Sequence, residues 1–145
     1  MSYYIRLVST PQKPNKSALD IVQKLDTVQF PGCEVSRLSE SYAWLCYSET
    51  GNPVGYATMY YLKSENYGYF SRAAIKADHR RKGLHTRLIR CRINLARRLG
   101  WKGVLTYTST DNAASANSLV NLGFRLYNPQ YRWAGKEFLY FMRSF

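Results

Sequence analysis

The sequence predicts a mixed α/β fold: a central, mostly antiparallel sheet of about six to seven strands with helices packed against it. Three observations carry this expectation. Short aromatic and β-branched runs, separated by Gly, Pro and Asn, outnumber the helical stretches. Leu84 to Leu99 shows a helical period and lies between two apolar runs, which makes a strand–helix–strand unit. The 145 residues are 46% hydrophobic and 21% charged, a globular composition with enough chain for one core.

Taken in order, Tyr3 to Val8 alternates weakly and reads as a first strand. Pro11 and Pro14 then break the chain, and Asn15 or Ser17 can cap a helix. Leu19, Ile21, Val22 and Leu25 give that helix one buried face, and Pro31-Gly32 closes the region. Tyr42 to Tyr47 and Val54 to Leu62 flank Glu49-Thr50-Gly51-Asn52-Pro53, a hairpin signal with turn-forming residues at its centre. Tyr67-Gly68 separates a further strand, Tyr69 to Ile75. The long helix begins near Gly83, with Leu84, Leu88, Cys91, Leu95 and Leu99 on one stripe and Ala96 beside it. Gly100 is its expected C-terminal cap.

Val104 to Ser109 is the next strand. Asp111 or Asn112 caps a short helix containing Ala113, Ala114, Ala116, Leu119 and Leu122, and Gly123 closes it. Phe124 to Tyr127 and Phe138 to Met142 are the last strands, joined across Asn128-Pro129. No repeat or linker interrupts this order, so residues 1–145 read as a single domain. The unit from Tyr69 through Ser109 should be parallel and right-handed. Ligands of such sheets bind at the carboxyl ends of the strands.

The formal net charge is +12, which favours an anionic ligand or a polyanionic partner such as nucleic acid. No apolar run approaches the roughly 20 residues of a membrane span, so no membrane partner is expected. The N-terminus has no basic leader followed by an apolar core. Cys33, Cys46 and Cys91 match neither a disulfide framework nor a zinc pattern, and His79 and His85 add no ligand spacing, so no metal is expected. A reducing cytoplasm is the simplest expected location.

Arg80-Arg81-Lys82-Gly83-Leu84-His85-Thr86 joins an apolar strand to the long helix. The first N–H groups of a helix lack internal partners and carry partial positive charge. Three cationic side chains at the same point make this an anion site, and a phosphate is the natural occupant. Successive N–H groups from Arg81 to Thr86, with the Thr86 hydroxyl, can face such a group.

Two segments together resemble the GNAT superfamily of acetyl-CoA-dependent N-acetyltransferases. One is Arg80-Arg81-Lys82-Gly83-Leu84-His85, against the family's Arg/Gln-x-x-Gly-x-Gly/Ala. The other is Asn112, twelve residues before the Phe124 of Gly123-Phe124. The resemblance covers about Tyr42 to Met142. It implies acetyl-CoA as cosubstrate, with its pyrophosphate at residues 80–86. It implies that Ala73 and Ile75 offer backbone bonds to the pantetheine arm. Asn112 would reach the arm or order the neighbouring turn, with Ser115 close by. Arg80 would be partly structural, its side chain pointing away from the ligand.

The sequence departs from the family pattern at three points. His85 replaces the second small residue of the turn. Leu119 stands where the family often has a Tyr that protonates the leaving thiolate. No Glu or Asp lies on the strands where a general base is often found. Tyr107 and Ser109 are therefore the leading catalytic candidates, with Tyr69 and Tyr127 in reserve. The implied reaction is direct acetyl transfer to an amine of a small molecule, peptide or nucleic-acid-linked acceptor. The competing reading is a catalytically weak module of the same fold that binds nucleic acid. Its basis is the acid-free run Arg80, Arg81, Lys82, Arg87, Arg90, Arg92, Arg97 and Arg98. The bland reading of that run is a solvated helix face. Arg125, Arg132, Lys136 and Arg143 interleave with Tyr127, Tyr131, Trp133 and Phe138, which suits stacking on bases or the rim of an acceptor pocket. The resemblance also admits homodimerisation through the C-terminal strands, which is common in the family.

Overall fold

A computed structural model describes residues 2–145. Strands β1 (Tyr4–Ser9), β2 (Tyr42–Tyr47), β3 (Pro53–Leu62), β4 (Tyr67–Ile75), β5 (Gly103–Ser109), β6 (Arg125–Tyr127) and β7 (Phe138–Ser144) form one sheet in the order β1-β2-β3-β4-β5-β7-β6. Helices α1 (Lys16–Gln29), α2 (Leu84–Arg98) and α3 (Ala113–Asn121) connect them, with single 3-10 turns at Leu38–Glu40 and Ala77–His79. β4 and β5 run parallel, whereas the β1–β2, β2–β3, β5–β7 and β6–β7 pairs are antiparallel. The mixed, mostly antiparallel sheet of the expectation is therefore the observed one.

Local chemistry accounts for the helix boundaries. Asn15, not Ser17, caps α1: its Oδ1 accepts the Ala18 N–H at 3.2 Å. Asn112, not Asp111, caps α3, accepting the Ser115 N–H at 3.1 Å. Beyond α2, the Trp101 N–H reaches back to the Ala96 carbonyl at 3.1 Å, the bond that ends a helix at a C-terminal glycine.

Three expectations need correction. Tyr67-Gly68 does not separate strands but opens β4, because both residues pair with β5, opposite Gly103 and Val104. Gly103 belongs to β5 for a steric reason. A Cβ there would lie 2.3 Å from the Arg143 carbonyl oxygen, so close strand approach requires its absence. On α2, Leu99 is exposed and Cys91 only half-buried. The buried stripe runs through Leu84, Leu88, Ile89, Arg92, Ile93, Leu95 and Ala96. Arg92 is thus not part of a solvated face: it is 3% exposed, and burial pulls its pKa down to about 9.

The chain forms two compact units. The first runs to Tyr61 and resumes over Phe70–Leu88. Its core joins Leu19 and Val22 of α1 to Ala43, Leu45 and Tyr56 of the sheet. Each such buried aliphatic side chain contributes about 1.5–3 kcal/mol. The same α1 stripe carries Asp26, which is fully buried. Its Oδ1 accepts the Tyr56 hydroxyl and meets Arg72 Nε of β4 at 3.1 Å. Arg72 also stacks over Phe30, 4.2 Å from the ring centroid. A buried carboxylate is tolerated only with such partners. The second unit comprises Leu62–Tyr69 and Ile89–Phe145. It buries Val104, Leu119, Phe124, Tyr140 and Phe141.

Candidate coenzyme and catalytic site

In the first unit, β4 delivers the chain into the basic turn. The Lys76 N–H donates to Val54 O of β3 at 2.8 Å. Backbone groups alternate along an antiparallel strand, so those of Ala73 and Ile75 point to the opposite edge. The register of β4 with β5 ends at Tyr69, and Ala73 and Ile75 lie beyond it. The Ile75 carbonyl on that edge accepts Arg80 Nε at 2.9 Å. The Arg80 Nη2 donates to Gln29 Oε1 of α1 at 2.6 Å. Arg80, though exposed, is consequently a brace that fixes the start of the turn, with its guanidinium engaged by Ile75 and Gln29.

The turn itself has the conformation of an anion cradle. Arg81 and Gly83 both lie in the left-handed region, with φ of 62° and 76°. Such residues alternating with right-handed ones aim successive N–H groups toward one side. The Gly83 carbonyl accepts the Arg87 N–H at 3.1 Å and so begins α2. A Cβ at Gly83 would meet nothing within 4 Å, so the glycine answers a torsional demand and not a crowding one. The Arg81 and Lys82 side chains are exposed and make no hydrogen bond or ion pair among the described residues. Leu84 is buried and anchors the first turn of α2, while His85 and Thr86 beside it are half-buried. Arg87 is held by the Tyr3 carbonyl, with both terminal nitrogens at 3.3 Å. The turn thus combines a helix start, two unengaged cations and an open glycine, the chemistry that suits an anion.

In the second unit, the tyrosine candidates gather around Tyr140. Tyr69 meets Trp133 edge-on at 6.1 Å, and Trp133 meets Tyr140 at 4.6 Å. Tyr107 lies 6.2 Å from Tyr140 and 5.1 Å from Phe138. Tyr127 meets Tyr140 at 6.5 Å. The Tyr140 hydroxyl accepts the Ala134 and Gly135 N–H groups and donates to the Gly135 carbonyl. It therefore organises the β6–β7 connection. Burial pushes the Tyr127 phenol up to about 12, so Tyr127 keeps its proton at neutral pH.

Ser109, at the end of β5, donates to Asp111 Oδ1 at 2.7 Å. The sequence offers Asp111 only as a helix cap. The signal for its other role is its place two residues after Ser109, once Asn112 has taken the cap. Asn112 and Ser115 are engaged with each other, so Asn112 orders the turn through Oδ1. Leu119, where a proton-donating Tyr is often found, is 3% exposed and belongs to the core. Among the described residues, no group of three or more His, Cys, Asp or Glu is placed to hold a metal ion. No helix among them is long and apolar enough to cross a membrane.

Comparison with known proteins identifies the family and the fold. The profile of the acetyltransferase (GNAT) family matches residues 11–124. No curated protein sequence matches the chain. Among solved structures, the Escherichia coli ribosomal-protein alanine N-acetyltransferase superposes with a TM-score of 0.77 at 16% identity, covering 99% of this chain and 94% of that one. A GNAT-family acetyltransferase from Staphylococcus aureus gives 0.75 at 13% identity, covering 99% of each chain. A Bacillus anthracis acetyltransferase solved in complex with acetyl coenzyme A gives 0.66 at 16% identity, covering 100% of this chain and 99% of that one. At such identities these likenesses establish the fold, and the profile match establishes the lineage. The chain belongs to the GNAT acetyltransferase family, whose cosubstrate is acetyl-CoA.

Proposed function

We propose that residues 1–145 act as one acetyl-CoA-dependent N-acetyltransferase domain that passes the acetyl group directly to an amine in the cytoplasm. The observation that carries this reading is the turn at residues 81–86, with Arg81 and Gly83 at positive φ and Arg80 bonded to Ile75 and Gln29 as its brace. The diphosphate sits on the amides from Arg81 to Thr86, and Lys82 adds charge. Ala73 and the Ile75 N–H offer strand-like bonds to the pantetheine arm. Asn112 holds the start of α3, and Ser115 accompanies it.

Transfer requires three events. The acceptor amine sheds a proton, its lone pair forms the new C–N bond, and the C–S bond breaks to give a thiolate that takes up a proton. Tyr107 is the favoured residue for the first proton, with Ser109 and its partner Asp111 as an alternative route and Tyr69 close to the same aromatic group. Positioned acid–base help of this kind is worth about 10²–10⁴ in rate. Proximity supplies further orders of magnitude, so a site without a strand carboxylate remains competent. The rival reading, a nucleic-acid-binding module, gains no support from the comparisons, and burial of Arg92 removes one charge from the face it would need.

The test is incubation of the protein with acetyl-CoA and a panel of primary amines and peptides, following free thiol and product mass. Thiol release matched by a 42 Da gain on an acceptor nitrogen supports the reading (about one acetyl per thiol). Binding of RNA without any amine-dependent thiol release contradicts it.

A further inference from the structure

The first unit carries a concavity that ends at His79, the residue before the coenzyme turn. It has a volume of about 590 Å³ and lies between the later part of α1 and the β2–β3 hairpin, with Lys76 and His79 at one end. That size falls in the range of small-molecule sites. None of residues 80–86 lines it. Part of its wall is aliphatic and includes Leu25 and Val28 of α1 and Val54 of β3. Val28 is 76% exposed, an unusual cost for a valine on a helix with a good buried stripe elsewhere.

The charges facing this cavity do not cancel. Lys24 of α1 and Lys76 after β4 both line it, and neither ammonium has a hydrogen bond or ion pair among the described residues. Glu49 is the acidic group, with Oε2 3.5 Å from the Ser2 N–H. His79 is held by the Tyr3 hydroxyl at 3.0 Å from Nδ1. Two ammonium groups against one carboxylate leave a net positive charge beside the aliphatic part of the wall.

We propose that this cavity binds a small amphipathic carboxylate, with its head group between Lys24 and Lys76 and its aliphatic body against Leu25, Val28 and Val54. One net positive charge suits a monoanion, and Glu49 disfavours a phosphate dianion. The volume suits a small molecule of this kind. Its lining shares no residue with the cradle, although Lys76 follows Ile75 and His79 precedes Arg80.

Octanoate is the probe, titrated into the full chain while amide shifts of Lys24, Val28 and Lys76 are followed. Saturable binding is expected, with octan-1-ol and acetate each about tenfold or more weaker, because each lacks one half of the recognition. Lys24→Ala and Lys76→Ala, both at exposed side chains, should each weaken octanoate about three- to tenfold and leave acetyl-CoA binding unchanged. Absence of saturable shifts up to about 10 mM octanoate overturns the proposal. So does equal binding of octan-1-ol, or octanoate affinity unaltered in the double lysine variant.

Discussion

Substitution of Gly83 by alanine separates backbone conformation from every other contribution to coenzyme binding. Gly83 sits at φ 76°, and a Cβ there meets no atom within 4 Å. No clash accompanies the new methyl group, so the effect is torsional. An L-residue in the left-handed region costs about 1–2 kcal/mol. The turn is exposed and precedes the helix, so it relaxes locally instead of unfolding the protein. A penalty of that size leaves the cradle formed in about one molecule in 5 to 30, and apparent affinity falls in proportion to the competent fraction. Calorimetric titration with acetyl-CoA should therefore show Kd raised about 5- to 30-fold for Gly83→Ala. Gly83→Asn, whose side chain tolerates the left-handed region, should lose only about two- to fivefold. If alanine binds within about twofold of the parent, the amides around residue 83 do not hold the phosphates and the reasoning fails.

The chemistry and the frame give further expectations. Tyr107→Phe should lower turnover by about 100-fold or more while leaving the Kd for acetyl-CoA unchanged; full turnover removes Tyr107 from the proton path. Arg72→Ala strands the fully buried Asp26 with the Tyr56 hydroxyl alone and should cost about 3–5 kcal/mol in urea denaturation, whereas a loss below about 1 kcal/mol denies the network its role. The Tyr127 phenol is raised to about 12 in the folded protein against about 10 unfolded. The unfolded chain therefore sheds this proton first, and the stability Tyr127 contributes below pH 10 is lost as pH rises toward 12. Tyr127→Phe should flatten that alkaline decline, and an unchanged slope of unfolding midpoint against pH counts against burial as the cause.

What the sequence makes legible is what is local. The cradle is contiguous, and its meaning depends on a strand, a glycine and a helix start within a few residues. The caps are equally local, although choosing Asn112 over Asp111 takes the structure. Gly68 misleads because a glycine beside an aromatic looks like a break, while its reason for being in β4 is the neighbouring strand. Asp26 and Arg72 are 46 positions apart (26 and 72), so no window contains both. Yet Asp26 falls in phase with Leu19 and Val22 on the α1 stripe, and an acid at a core phase is a readable warning. Arg92 carries the same warning on α2, where a run of arginines hides its place on the buried stripe. The tyrosine group around Tyr140 draws on β4, β5, β6, β7 and the β6–β7 connection. Its membership is fixed by strand order, which spacing alone does not reveal. The acceptor's identity lies further still from the sequence, because the coenzyme cradle is shared chemistry and the acceptor surface is not.

The central claim is that a diphosphate rests on the amides at the start of α2. Titration of the uniformly labelled protein with acetyl-CoA, read by backbone amide shifts, tests it most directly. The account predicts the largest saturable shifts at Arg81 through Thr86, and their near absence when the acetylated pantetheine fragment without phosphates is used. Shifts that cluster elsewhere while these amides stay fixed would contradict it.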